Sequence, residues 1–125
     1  MVTQLAERPL LAERQDTVFH ALGDRTRRDI LSRLRSGEQP VQAIARGFPI
    51  SRPAISKHLR LLLDAELVRE RRDGRNRLYQ INPQPLKTVD VWLEEYRTLW
   101  QGKLENLKRF LEAQNKEEKY GPQNR

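Results

Sequence analysis

The stretch Val41-Gln42-Ala43-Ile44-Ala45-Arg46-Gly47-Phe48-Pro49-Ile50-Ser51-Arg52-Pro53-Ala54-Ile55-Ser56-Lys57-His58-Leu59-Arg60-Leu61-Leu62-Leu63-Asp64-Ala65-Glu66 decides the fold. It reads as a short helix, a turn at Gly47-Phe48-Pro49-Ile50, and a second helix from Ser51 to Glu66. Pro40 suits the first turn of the short helix, which is expected over Pro40 to Arg46, because its missing N–H costs nothing there. Ser51 is the expected N-cap of the second helix. With Pro53 in the first turn, its hydroxyl should accept from the Ala54 amide. Ile55, Leu59, Leu62, Leu63 and Glu66 recur at helical spacing, so the apolar members face a core. Pro53, Lys57, Arg60 and Asp64 point the opposite way, and Arg52 and Ser56 project near the exposed start.

A basic hairpin follows at once, Val68-Arg69-Glu70-Arg71-Arg72-Asp73-Gly74-Arg75-Asn76-Arg77-Leu78-Tyr79-Gln80-Ile81. Asp73-Gly74 favours a tight turn with positive φ at both central residues. A helix fits a DNA major groove, and a basic hairpin beside it can reach the backbone or minor groove. The combination is a winged helix-turn-helix, with the helix-turn-helix over residues 40–66 and the wing over 68–81.

The charge is placed accordingly. The 125 residues carry a net +7, with +4 over residues 51–80, +3 over 14–35 and none over 86–120. Charged residues often do no more than solvate helix faces, and a charged edge strand can simply block aggregation. Five arginines on one hairpin, against Glu70 and Asp73, exceed what edge protection needs. Phosphate contact is the better account.

Upstream, a first helix is expected from Leu10 to Leu22, ended by Gly23 in a left-handed cap. Asp24 should cap a second helix, Arg25 to Arg35, whose core side is Ile30, Leu31 and Leu34. Downstream, Pro83 and Pro85 break the chain before a long helix over residues 86–114. There Leu86, Leu93, Trp100 and Leu107 occupy one heptad position, and Val89, Tyr96 and Phe110 the other, with Lys103 interrupting. Trp92, Leu99, Leu104 and Leu111 widen the stripe, and Gly102 is a candidate kink. A small domain cannot cover so wide a stripe by itself, so a subunit interface is expected. The expected interface comprises Leu11, Phe19, Leu86, Val89, Trp92, Leu93, Tyr96, Trp100, Leu107 and Phe110. The fold class is thus mainly α with a small β-hairpin. One domain is expected over residues 10–114, with flexible tails at 1–9 and 115–125.

Other chemistries lack their residues. The chain has no cysteine, hence no disulfide, thiolate site or Cys nucleophile. His20 and His58 are the only imidazoles, and the i, i+4 pair Asp16 and His20 offers two ligands without a third. Ser56 and His58 lie on divergent faces, and no glycine-rich phosphate loop exists, so no enzyme and no cofactor are expected. His58 flanks the core stripe, where a structural or phosphate-bonding role competes with base readout. No apolar run approaches the roughly 20 residues of a membrane span, and the N-terminus lacks a signal-like apolar stretch. A cytoplasmic, nucleoid-associated protein is expected.

From about Val18 to Leu111 the chain resembles the ArsR/SmtB family of bacterial winged-helix repressors. The matching pieces are Phe19-His20-Ala21-Leu22-Gly23-Asp24-Arg25-Thr26-Arg27-Arg28-Asp29-Ile30-Leu31, Ile50 through Leu59, Ala65-Glu66-Leu67-Val68 and the wing Arg71-Arg72-Asp73-Gly74-Arg75. The resemblance implies a homodimer, built on the first and last helices, that represses its operon by binding operator DNA. Arg25 stands where the family's pattern has proline. The third helix has no thiol and the last helix no histidine, so the Trp92, Tyr96 and Trp100 series resembles a metal-independent subgroup that includes small autorepressors.

The resulting expectation is a homodimeric repressor of double-stranded operator DNA. Ser51, Arg52, Ser56, Lys57, His58 and Arg60 contact it from the helix, and Arg71, Arg72, Arg75 and Arg77 from the wing. Two alternatives stay open. The last helix could serve a protein-interaction module, or a small organic inducer could bind near Trp92 and Trp100.

Overall fold

A computed structural model describes the backbone of residues 2–120 and the side chains of residues 12–117. The elements are α1 (Val2–Leu22), α2 (Arg25–Leu34), β1 (Gln39–Pro40), α3 (Val41–Ala45), α4 (Arg52–Asp64), β2 (Val68–Asp73), β3 (Asn76–Ile81) and α5 (Leu86–Tyr120). Helix dominates, as expected. Both end helices are longer than the apolar periodicity indicates, and they run into the segments expected as tails. Gln4, Leu5, Ala6, Lys116 and Glu117 are good helix formers, which period counting of apolar residues does not register. Met1, residues 121–125 and the Leu11 side chain lie outside the described residues. The chain divides into two compact units, residues 1–89 and 90–125. The described residues of the second unit belong to α5.

In the first unit α2 and α4 supply the core. Ile30, Leu34, Ile44, Ile55, Leu59, Leu62, Leu67 and Val68 are fully buried. Burying each such side chain contributes about 1.5–3 kcal/mol before entropy is counted. Leu86 and Val89, assigned above to a subunit interface, are partly buried against this same core. They sit in the first turn of α5, close behind Asn82. That residue is itself anchored, its backbone N–H donating to the Leu67 carbonyl at 2.8 Å.

The sheet has three antiparallel strands in the order β1-β3-β2, not a hairpin alone. The added strand pairs Gln39 with Tyr79 and Pro40 with Leu78. Pro40 is therefore extended (φ −74°, ψ 159°) and sits at the N-cap of α3, one residue earlier than its expected place inside the helix. Two residues are too few to show an alternating pattern, so the sequence carries no signal for β1.

Two glycine assignments change. Gly23 does not have positive φ; the positive-φ glycines are Gly37 (139°) and Gly74 (64°). The end of α1 is closed by arginines instead, as described below. At the wing tip Asp73 pairs with Asn76, so the two central turn residues are Gly74 and Arg75, and positive φ is confined to Gly74. A glycine with positive φ at the first central position is the II′ pattern, which suits strand twist as well as the expected turn does.

Candidate nucleic-acid interface

The N-terminus of α4 forms as its residue types dictate. Ser51 is extended and its Oγ accepts from the Ala54 N–H at 3.3 Å. Ile55, Leu59 and Leu62 are buried, while Ser51, Arg52, Ser56, Lys57 and Arg60 are exposed on the other side. Arg60 lies 3.5 Å from Asp64 one turn on, an exposed pair that screens its charge only weakly.

The turn before α4 is held by a residue to which the sequence reading gave no role. Arg33 of α2 donates from Nη1 to the carbonyls of Ala43 and Ile44 at 3.4 and 3.3 Å, which are last-turn acceptors of α3. Its guanidinium carbon stands 5.2 Å from the centre of the Phe48 ring. The guanidinium crosses directly over Gly47, where a Cβ would fall 1.6 Å from Arg33 Nη2. Gly47 is needed here for close approach, since its φ is not positive.

A second arginine orients α4 from behind. Asp24 caps α2, accepting from the Arg27 N–H at 3.1 Å. The buried Arg27 side chain turns back to α1, donating to the carbonyls of Ala21 (2.7 Å) and His20 (2.9 Å). Arg28 donates to Leu22 O at 2.8 Å. Cationic donors at the last carbonyls satisfy the helix end and complement its dipole. His58 Nδ1 lies 3.4 Å from Arg27 Nη1 and 3.8 Å from Asp24 Oδ2, with its ring half-buried. A guanidinium can only donate, so Nδ1 of the neutral ring accepts. His58 thus links α4 to the α1–α2 junction rather than standing on the exposed face with Lys57. The Asp24 carboxyl is held below its ordinary value, first by the Arg27 backbone N–H and then, against a desolvation penalty, by the charge of Arg27.

The wing arginines are not equivalent. Arg71 is engaged by Glu38, with Nε 2.9 Å from Oε2. That bond lowers the Glu38 carboxyl and raises the Arg71 guanidinium from their ordinary values. Arg77 lies 3.9 Å from Glu70 on the neighbouring strand. Among the described residues no carboxylate comes within ion-pair distance of Arg52, Lys57, Arg72 or Arg75. Tyr79 is buried beneath the wing, and desolvation pushes its phenol above the ordinary value. A cleft of about 320 Å³ opens between the start of α4 and the wing, lined by Arg52 and Ser56 on one side and Arg75, Asn76 and Arg77 on the other.

In the second unit α5 runs unbroken through Gly102. Trp92, Tyr96, Trp100, Leu107 and Phe110 are exposed, Phe110 by 58%, and Leu93 is half-buried. The Trp92 and Tyr96 rings meet at 5.0 Å with a 54° tilt. Arg97 pairs with Asp90 and Glu94 along the helix. In α1 Val18 and Ala21 are buried, and Phe19 is half-buried. Among the described residues no group of three or more His, Asp or Glu side chains could hold a metal ion. No described helix is long and apolar enough to cross a membrane.

A family model described as a helix-turn-helix domain matches residues 22–71. The chain is 42% identical over 83 residues to the HTH-type transcriptional regulator Rv2034 of Mycobacterium tuberculosis, a match covering 66% of this chain and 78% of that protein. It is 38% identical over 78 residues to the transcriptional repressor SdpR of Bacillus subtilis, covering 62% of this chain and 87% of that protein. The crystal structure of an ArsR family transcriptional regulator superposes with a TM-score of 0.66 at 36% identity, over 72% of this chain and 93% of that one. With its winged helix-turn-helix fold and transcriptional regulators among its relatives, the chain belongs to the ArsR family of DNA-binding transcriptional regulators.

Proposed function

We propose that the protein is a homodimeric operator-binding repressor that does not sense metal. The observation that carries this is the unneutralised basic surface shared by α4 and the wing. Arg52 and Lys57 stand on the helix and Arg72 and Arg75 on the hairpin, with no carboxylate within ion-pair distance among the described residues. Ser51, Arg52, Ser56, Lys57 and Arg60 form the face toward the major groove, where Lys57 and Arg60 can pair with guanine and serine with base or phosphate. Arg72, Arg75 and Arg77 hold backbone beside it. Arg71 and His58 act mainly through Glu38 and Arg27, placing the wing and the helix.

A second copy covers the apolar face of α5. Contiguous exposed apolar surface of this kind marks an interaction site, and exposed Trp92 and Trp100 are of the type enriched at interface anchors. Two-fold symmetry would set two α4 helices one DNA turn apart. The lack of cysteine and of a described ligand cluster supports metal independence.

Duplex binding across a salt series tests the reading. A repressor of this kind loses affinity linearly in log salt, with a slope set by the phosphates it neutralises. It prefers its operator to a scrambled duplex, and zinc, cadmium or arsenite leaves the affinity unchanged. Salt-independent or absent duplex binding would leave the basic face incidental and favour a protein-interaction module built on α5.

A further inference from the structure

We propose that Arg52 of α4 and Arg75 of the wing hold one and the same DNA backbone phosphate, seated in the cleft between them. This rests on the DNA-binding reading and specifies it. Arg52 and Ser56 are one helical turn apart and reach the cleft from the start of α4, while Arg75 and Asn76 reach it from the wing tip. No acidic side chain lines the cleft. Arg77, the third cation there, has part of its charge matched by Glu70 at 3.9 Å. Arg52 and Arg75 have no such partner among the described residues.

Two unmatched guanidiniums facing one open cleft repel each other, and an anion between them reverses the sign of that energy. A phosphodiester offers two charged oxygens, so it can accept from two guanidiniums at once, each presenting a planar fork. Ser56 Oγ and the Asn76 amide add neutral donors from the two sides. The ligand is a duplex phosphate rather than a free anion because the same two elements are those that embrace the duplex. Filling the cleft locks the wing to the recognition helix, and so sets the depth at which α4 presents its side chains to the bases. Arg52 thereby acts on register from the edge of the groove, not as a guanine reader.

The test scans single neutral methylphosphonates along a duplex that the full-length protein binds. Wild type should lose affinity most at one symmetric phosphate position. Arg52→Ala and Arg75→Ala should both become insensitive at that same position, and Arg52→Lys should restore part of the sensitivity. Counted per dimer, with its two clefts, the double alanine variant should lower the salt slope by about two units, whereas two separate phosphates in each half-site would cost about four. Both residues are exposed, and circular dichroism verifies that the variants keep the wild-type fold. Sensitivity lost at two different phosphates within a half-site, or a change of about four units per dimer, overturns the shared seat while leaving DNA binding intact. Wild type that binds no duplex overturns the DNA-binding reading together with this one. Pyrophosphate titrated without DNA checks the source of the anion. Binding as tight as that of duplex would assign the cleft to a free anion and overturn the backbone assignment.

Discussion

Arg71 and Glu38 form a two-armed ion pair, with Nε 2.9 Å from Oε2 and Nη2 closing on Oε1. The pair ties β2 of the wing to the segment that leads into β1. Arg71 therefore arrives at DNA already satisfied, and Glu38 holds it as a phosphate oxygen would. Glu38→Gln removes the charge and keeps the shape. The expected result is a higher duplex affinity at low salt and a salt slope steeper by about two units per dimer, as each Arg71 becomes free to meet a phosphate. Fluorescence anisotropy at four salt concentrations measures both. A variant with lower affinity and an unchanged slope would show that Arg71 serves only to hold the wing in place.

Gly47 leaves room for the Arg33 guanidinium to pass over the turn before α4. Gly47→Ala displaces the guanidinium from the carbonyls of Ala43 and Ile44 and from the Phe48 ring. Losing a charged hydrogen-bonded contact of this exposure should cost about 1–2 kcal/mol of stability in urea unfolding. Arg33→Ala should cost a similar amount. The double variant should cost little more than either alone, since both remove one interaction. Additive losses would mean that glycine acts through something other than Arg33.

Asp24 gives the protein an acid-sensitive cap at the junction of α1 and α2. Its folded carboxyl lies below the unfolded value, mainly because the Arg27 N–H donates to it. The contribution is complete above the unfolded carboxylate pKa and is lost as pH falls through the lower folded one. Unfolding midpoints from pH 7 to pH 3 should therefore drop more steeply for wild type than for Asp24→Asn, which keeps a cap acceptor without the charge. At neutral pH Asp24→Ala should cost about 1 kcal/mol as a lost N-cap. Parallel pH profiles for wild type and Asp24→Asn would remove the carboxylate from the acid transition.

What could be read in the sequence and what could not follows from the range of each interaction. The core face of α4 repeats every turn in Ile55, Leu59 and Leu62, and the Ser51 cap lies three residues from its donor, so both were visible locally. The Arg71–Glu38 pair spans 33 positions and Arg27–His58 spans 31, and neither leaves a local pattern. Asn82 is similar. Its Nδ2 donates to the Glu66 carbonyl at 2.7 Å and holds Glu66 at φ 59°, a conformation that residues other than glycine rarely adopt. The heptad stripe of α5 was legible over its whole length. Its first members, Leu86 and Val89, also pack in part on the core of their own unit, a contact the pattern did not reveal, because periodicity states which residues share a face and not what covers it.

The exposed members of that stripe lead to the last prediction. Trp100 and Leu107 share one heptad position and are 52% exposed each, beyond the part of α5 that packs on the first unit's core. If a second copy covers them, Trp100→Glu with Leu107→Glu places charges in the middle of an apolar contact, where desolvation costs several kcal/mol. Sedimentation at micromolar concentration should then show wild type at twice the chain mass and the double variant at the chain mass, with helical content retained. The fold of the first unit does not use either side chain, so the monomer should still bind DNA, but with about half the salt slope and without preference for paired half-sites. A double variant that remains a dimer would move the interface off this face of α5. A wild type that sediments as a monomer would leave the stripe for a different protein, and the two-half-site model of repression would fall with it.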